Sequence, residues 1–320
     1  MKILVHISRL FVAATFIFSG FVKLVDPLGS AYKFEEYFGY DVLNLEFLIP
    51  YALLFSIVLI LAEIMLGVML LMGYLPKLTV WSLLGIIVVF LFLTWYSAYY
   101  NKVTDCGCFG DALKLSSWGT FYKNIVLVAL ILLLVLKSQY IKPLVSKNIA
   151  KWISFLSFFI FLFITYHVLV HLPIIDFRSY AIGKNISEGM EYVGDEEPPI
   201  HDFYLETAEG NNLTEVVLAE DNVLLVVAYN LSKTDLQGFS NIKTVTDIAI
   251  KKGYTVYTLT SSTNEEYDAI KNKFKLNVEM LFCDGTTLKT IIRANPGILT
   301  LQNGTITGKW SWVDTDSVKL

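Results

Sequence analysis

The chain has 320 residues, of which 55% are hydrophobic and 17% charged, with a formal net charge of −4. This balance excludes an ordinary pair of soluble domains and offers no basic surface for phosphate, so the bilayer is an expected partner and nucleic acid is not. Three cysteines are too few for a disulfide-stapled scaffold and leave at least one thiol outside any internal pair.

Five apolar stretches, about residues 3–24, 48–72, 78–99, 119–137 and 150–172, approach the roughly 20 residues needed to cross a hydrocarbon core. The first is long for a signal peptide, lacks an Ala-x-Ala site and runs into Lys23-Leu24-Val25-Asp26-Pro27, so it is expected to be retained. Between the fourth and fifth stretches stand Lys137, Lys142, Lys147 and Lys151 without an acid, which marks that connection as cytoplasmic. Alternation then puts the N-terminus inside, and the 25–47 loop, the 100–118 loop and the C-terminal region outside. For a bacterium this means the inner membrane, with an oxidising periplasm around the outer parts.

Ionisable residues within a span should face the bundle interior and find partners. Arg9, Ala13, Phe16, Gly20 and Lys23 recur at helical steps with His6 one turn below, which predicts one inward face. Glu63 lies about nine residues from the inner end of the second span and Arg9 about six from that of the first, depths that differ by only about 4 Å. An Arg9–Glu63 pair is therefore expected. It can serve as a buried pair that fixes helix register, or as a proton or quinone site.

The 100–118 loop carries Asp105-Cys106-Gly107-Cys108-Phe109-Gly110. Two thiols separated by one glycine close only a small, strained ring, and a strained disulfide is labile, which suits exchange better than a staple. Lys123 in the next helix would favour a thiolate, whereas Asp105 and Asp111 act against it. Two rivals remain: reduced, inert cysteines, or a Cys₂His₂ metal site completed by His167 and His171.

Phe18-Ser19-Gly20-Phe21-Val22-Lys23-Leu24-Val25-Asp26-Pro27, the Ala62-Glu63-Ile64 and Gly67 pattern, and Cys106-Gly107-Cys108-Phe109-Gly110 together resemble the bacterial DoxX family and the related methylamine-utilisation protein MauE. The resemblance covers residues 1 to about 140 and implies a four-helix inner-membrane bundle. For MauE it implies help with disulfide formation in a periplasmic enzyme, and for DoxX a quinone-linked sulfur oxidation. The Cys-Gly-Cys loop sides with MauE, so a redox-type membrane module, with quinone as a candidate cofactor, is the expectation.

Residues 141–189 are expected to hold the cytoplasmic loop, the fifth span and a linker, and 190–320 an extracytoplasmic α/β domain. There a hairpin of 202–207 with 212–218 precedes a buried strand at 223–229, a helix at 235–252 and a strand at 254–260. A helix from Asn264, a strand at 279–283, a helix at 287–294 and a hairpin across Asn303-Gly304 complete it. The order, with Asn295-Pro296-Gly297 before the penultimate strand, is similar to membrane-anchored thioredoxin-like domains, a resemblance that implies a cis Pro296. Where those domains carry Cys-x-x-Cys, this chain reads Asn230-Leu231-Ser232-Lys233-Thr234-Asp235. Cys283 is then either a small core residue or a relay thiol for Cys106 and Cys108. The chain as a whole is read as a thiol–disulfide module with an extracytoplasmic protein partner, or as a non-catalytic anchor that presents a docking or chaperone-like domain.

Overall fold

The computed structural model describes residues 1–103, 107, 109–113, 115–192, 194 and 197–320. The chain divides into two compact units, Met1–Val168 and Leu169–Leu320.

The first unit contains α1 (Lys2–Val25), α2 (Pro27–Phe38), α3 (Ala52–Met72), α4 (Pro76–Tyr100), α5 (Ser117–Leu136) and α6 (Lys147–Val170). All but α2 are long and apolar enough to span a membrane. Segment 25–47, expected as a loop, instead forms α2: the Asp26 side chain accepts from Gly29 N at 3.1 Å and Pro27 takes the first helical position.

Apolar residues of α1, α3, α4 and α5, among them Phe16, Leu70, Leu83 and Ile131, form the bundle core. Against lipid, hydrophobicity does not hold helices together, and close backbone approach does more of the work. A Cβ on Gly20 would stand 2.8 Å from Ile64 Cβ, and one on Gly67 would stand 2.8 Å from Ile17 Cγ1. These contacts fix the register of α1 on α3.

The second unit is built on a five-stranded sheet in the order β3-β2-β1-β4-β5. Its elements are α7 (Ile186–Gly189), α8 (Thr214–Ala219), β1 (Val223–Val227), α9 (Leu236–Lys251), β2 (Thr255–Thr260), α10 (Asn264–Phe274), β3 (Glu279–Phe282), α11 (Gly285–Ile291), β4 (Gly297–Gln302) and β5 (Thr305–Ser311). β1, β2 and β3 run parallel, and β4 is antiparallel to both β1 and β5. One face packs on Phe239 and Ile242 of α9 with Tyr267 and Ile270 of α10. The other packs on Leu288 and Ile291 of α11 together with Tyr180, Ile186 and Phe203. The Asn295-Pro296 bond is cis. A three-layer thioredoxin-like domain is the result.

Two expectations need correcting here. Residues 212–218 do not form the second strand of a hairpin; a single bridge joins Glu206 to Asn212 and the chain then turns into α8. Residues 173–189, expected as linker after the fifth span, belong to the folded unit, because Tyr180 and Ile186 enter its core.

Candidate functional site

Near the middle of α3, Glu63 is fully buried. A charge there needs a partner, and the partner is Lys23 rather than Arg9. Lys23 Nζ donates to Glu63 Oε2 at 2.9 Å and Oε1 at 3.1 Å, and to Ser19 Oγ at 2.7 Å. Ser19 Oγ in turn donates to Oε2 at 3.1 Å. Phe90 of α4 offers its ring 5.6 Å from Nζ.

Arg9 donates to Leu70 O at 2.8 Å, Leu71 O at 2.7 Å and Lys142 O at 2.7 Å. It thereby serves carbonyls in the last turn of α3, where the i→i+4 ladder runs out and Leu70 O otherwise accepts only from the capping Gly73 N at 3.2 Å. The expected Arg9–Glu63 pair is overturned because the inner ends of α1 and α3 are not level. Arg9, seven residues into α1, sits beside the last turn of α3, an offset of about 9 Å. His6 is exposed and off the inward face, whereas Lys23 is buried on it.

Cys106 and Cys108 lie outside the described residues, but their neighbours are placed. Gly107 takes φ +62°, and a Cβ there would stand 3.1 Å from Lys33 Cγ of α2. Only glycine adopts that backbone readily. Phe109 is buried with its ring 5.3 Å from that of Phe18 of α1 and under Lys123 Nζ of α5 at 4.2 Å. The loop is thus anchored on the bundle by its described residues.

Two pockets meet the Lys23–Glu63 pair. The loop-side pocket, with a volume of about 60 Å³, is lined by Lys23, Lys33, Phe34, Phe90, Thr94 and Gly107 among others. The inner one, about 10 Å³, is lined by Ser19, Glu63, Phe90, Lys123 and Asn124 among others. Asn124 is 1% exposed; its Nδ2 donates to Thr94 Oγ1 at 3.2 Å, while its Oδ1 is buried with no partner among the described residues. Sequence reasoning missed Asn124 and Thr94. An amide within the fourth span, directly before the apolar run Ile125–Leu136, was the signal available.

The histidines form no metal centre with described ligands. His171 Nδ1 lies 2.7 Å from Asp314 Oδ1, and the His167 ring lies 6.3 Å from that of Phe163. Among the described residues no group of three His, Cys, Asp or Glu side chains could hold a metal ion.

In the second unit the turn that replaces Cys-x-x-Cys is tied down. Asn295 Nδ2 donates to Asn230 O at 2.8 Å, Asp235 N donates to Asn295 O at 3.2 Å, and Leu231 N donates to Ser262 Oγ at 3.0 Å. Cys283 is fully buried among Leu281, Leu288 and Ile291, and burial pushes its thiol up to about 12. A buried, protonated thiol is a poor nucleophile, so Cys283 fits the core reading and not the relay.

Residues 1–137 match the family model described as methylamine utilisation protein MauE. No curated protein matches the sequence. Two solved structures resemble the C-terminal part. The thioredoxin domain of a thiol-disulfide oxidoreductase from Bacteroides vulgatus is 14% identical with a TM-score of 0.30, the match covering 40% of this chain and 87% of that one. The bacterioferritin comigratory protein of Xanthomonas campestris, titled for alkyl peroxide reduction, is 9% identical with a TM-score of 0.28, covering 36% and 86%.

Proposed function

We propose that this membrane protein, a MauE-type helical unit joined to a thioredoxin-like unit, carries out thiol–disulfide exchange through Cys106 and Cys108. The reading places that pair and the second unit on the periplasmic side of a bacterial inner membrane. The observation that carries it is the setting of Gly107, the residue between the two cysteines, which lines a pocket with Lys23 and Lys33. Lysines near a thiol favour the thiolate, the form that attacks disulfides.

The exchange balances as follows. A thiolate of a partner protein attacks the Cys106–Cys108 disulfide, that S–S bond breaks and a mixed disulfide forms. The partner's second thiol then displaces the adduct, leaving the partner oxidised and both cysteines here as thiols. A second disulfide-bearing protein reverses the steps and takes up the two electrons and two protons. Quinone, the other acceptor raised by the sequence, would take up the same two electrons and two protons in place of the second disulfide. The second unit, without a thiol in its turn, acts as a non-covalent docking surface for the partner.

Alkylation with a membrane-impermeant reagent, on sealed right-side-out vesicles before and after reduction, tests the reading. Cys106 and Cys108 should label only after reduction and from the outside. Labelling that never changes with redox state would leave the anchor alone as the role of this chain, and labelling only after the vesicles are opened would invert the topology.

A further inference from the structure

The thioredoxin-like unit begins inside the fifth span. α6 runs to Val170 and the second unit starts at Leu169, so the end of an apolar helix is also the first piece of the soluble fold. Within that unit Ser311 Oγ, at the end of β5, donates to Val170 O at 3.0 Å, and His171 Nδ1 lies 2.7 Å from Asp314 Oδ1. The end of β5 is thereby fixed to the point where the helix leaves the hydrocarbon core. A helix of 24 residues is about 36 Å long against a core of about 30 Å. Tyr166, exposed one turn before Val170, is a residue type that favours the headgroup level.

Just beyond the helix, Ile174, Ile175 and Phe177 are 59%, 42% and 40% exposed. Single exposed apolar residues are ordinary on a protein surface, but three in four consecutive positions make a patch. The segment is held so that it cannot fold them away. Asp176, between them, accepts from Arg178 Nε and from Lys309 Nζ of β5, each at 2.7 Å, Arg178 Nη1 donates to Thr290 O at 3.0 Å, and Tyr180 enters the core. Asp176 and Arg178 therefore turn inward while Ile175 and Phe177 stay at the surface. Ile174, four residues past Val170, lies within about 14 Å of it even at full extension. Lys309, which holds Asp176, is two residues, about 7 Å, from Ser311 along β5.

We propose that Ile174, Ile175 and Phe177 insert into the headgroup–acyl boundary of the leaflet from which α6 emerges, so that the thioredoxin-like unit stands on the lipid surface instead of swinging on a tether. Apolar side chains at such a boundary sink about 5–10 Å, a depth these three can share. The ion cluster of Asp176, Arg178 and Lys309 is the frame that presents them. Chain length selects lipid as the occupant, because a patch tied this closely to the end of a span meets the bilayer before any partner arriving from solution. The proposal is independent of the exchange reading, since no cysteine takes part in it.

The test uses the full chain in nanodiscs of phosphatidylethanolamine and phosphatidylglycerol, with the photoreactive residue p-benzoylphenylalanine introduced singly at Ile174, at Phe177 and, for comparison, at Val216. Val216 is 54% exposed and lies on α8. The end of α8 is held to the β4–β5 turn by the bond from Asn303 N to Glu220 O at 3.0 Å, and that turn is the length of β5, about 20 Å, from Ser311. All three positions are at the surface, so the substitutions leave the core intact. Irradiation followed by mass spectrometry should give phospholipid adducts at Ile174 and Phe177 in several-fold higher yield than at Val216. Lipid yields at Ile174 and Phe177 no higher than at Val216 overturn the proposal. Adducts there that join two copies of the chain in place of lipid also overturn it, and would make the patch a self-association face.

Discussion

Arg9 is a charged residue whose role depends on where one helix lies along another. Its three donated hydrogen bonds end on Leu70 O, Leu71 O and Lys142 O, so substitution takes a charged donor from three carbonyls, of which Leu70 O keeps Gly73 N at 3.2 Å. Arg9→Leu should destabilise the chain by on the order of 3 kcal/mol. Arg9→Lys should recover little, because an ammonium cannot reproduce the planar fork. Thermal unfolding midpoints in one detergent check both. The burial of Arg9, Lys23 and Glu63 was legible from cost alone, since a charge in an apolar helix must turn inward. Their pairing was not, because equal counting from the helix ends assumes level ends, and the level is set by Gly20 against Ile64, a contact visible only in three dimensions.

Between elements, the junction of α1 with α3 is the most demanding. Gly67→Leu would drive a Cβ to 2.8 Å from Ile17 Cγ1 and 3.0 Å from Ile17 N, and backbone cannot yield as a flexible side-chain tip can. We expect loss of compact folding in Gly67→Leu, read as aggregation on size exclusion. Gly85→Ala in α4, where a Cβ would meet nothing within 4 Å, should instead gain up to about 1 kcal/mol of helix propensity. All five spans were legible from length and hydropathy within a few residues. α2 was not, because its aromatic and charged residues Tyr32, Lys33, Phe34, Glu35 and Glu36 read as an acidic loop, although Asp26-Pro27 was a start signal.

On the scale of the folded chain, the second unit is closed by a strap. Asp176 accepts from Arg178 Nε at 2.7 Å and Nη2 at 2.8 Å and from Lys309 Nζ of β5 at 2.7 Å. Burial alone would raise its carboxyl, but Arg178 and Lys309 override that and hold it at about 2. Because the folded value lies below the unfolded one near 3.8, the strap's contribution is complete above that value and is lost as pH falls towards 2. The loss amounts to about 2 kcal/mol. Asp176→Asn should abolish that acid dependence while lowering stability at neutral pH, as unfolding followed by tryptophan fluorescence from pH 5 down to 2 would show. The three-layer α/β build was legible from the alternation of strands and helices, and the cis Pro296 followed from the resemblance to thioredoxin-like domains; the strand order was not read from the sequence. The strap was not, since Asp176 and Lys309 are 133 residues apart and no local pattern links them.

If the second unit docks a client as proposed, the hydrogen-bonded, thiol-free turn at Asn230–Asp235 bears on how long that client stays. A domain whose one cysteine, Cys283, is sealed in the core would retain a guest by shape and hydrogen bonding, so release there would need no chemical step and dwell time would be set by dissociation. Covalent adducts recovered from cells should therefore map to the short loop before α5 and not to the globular tail.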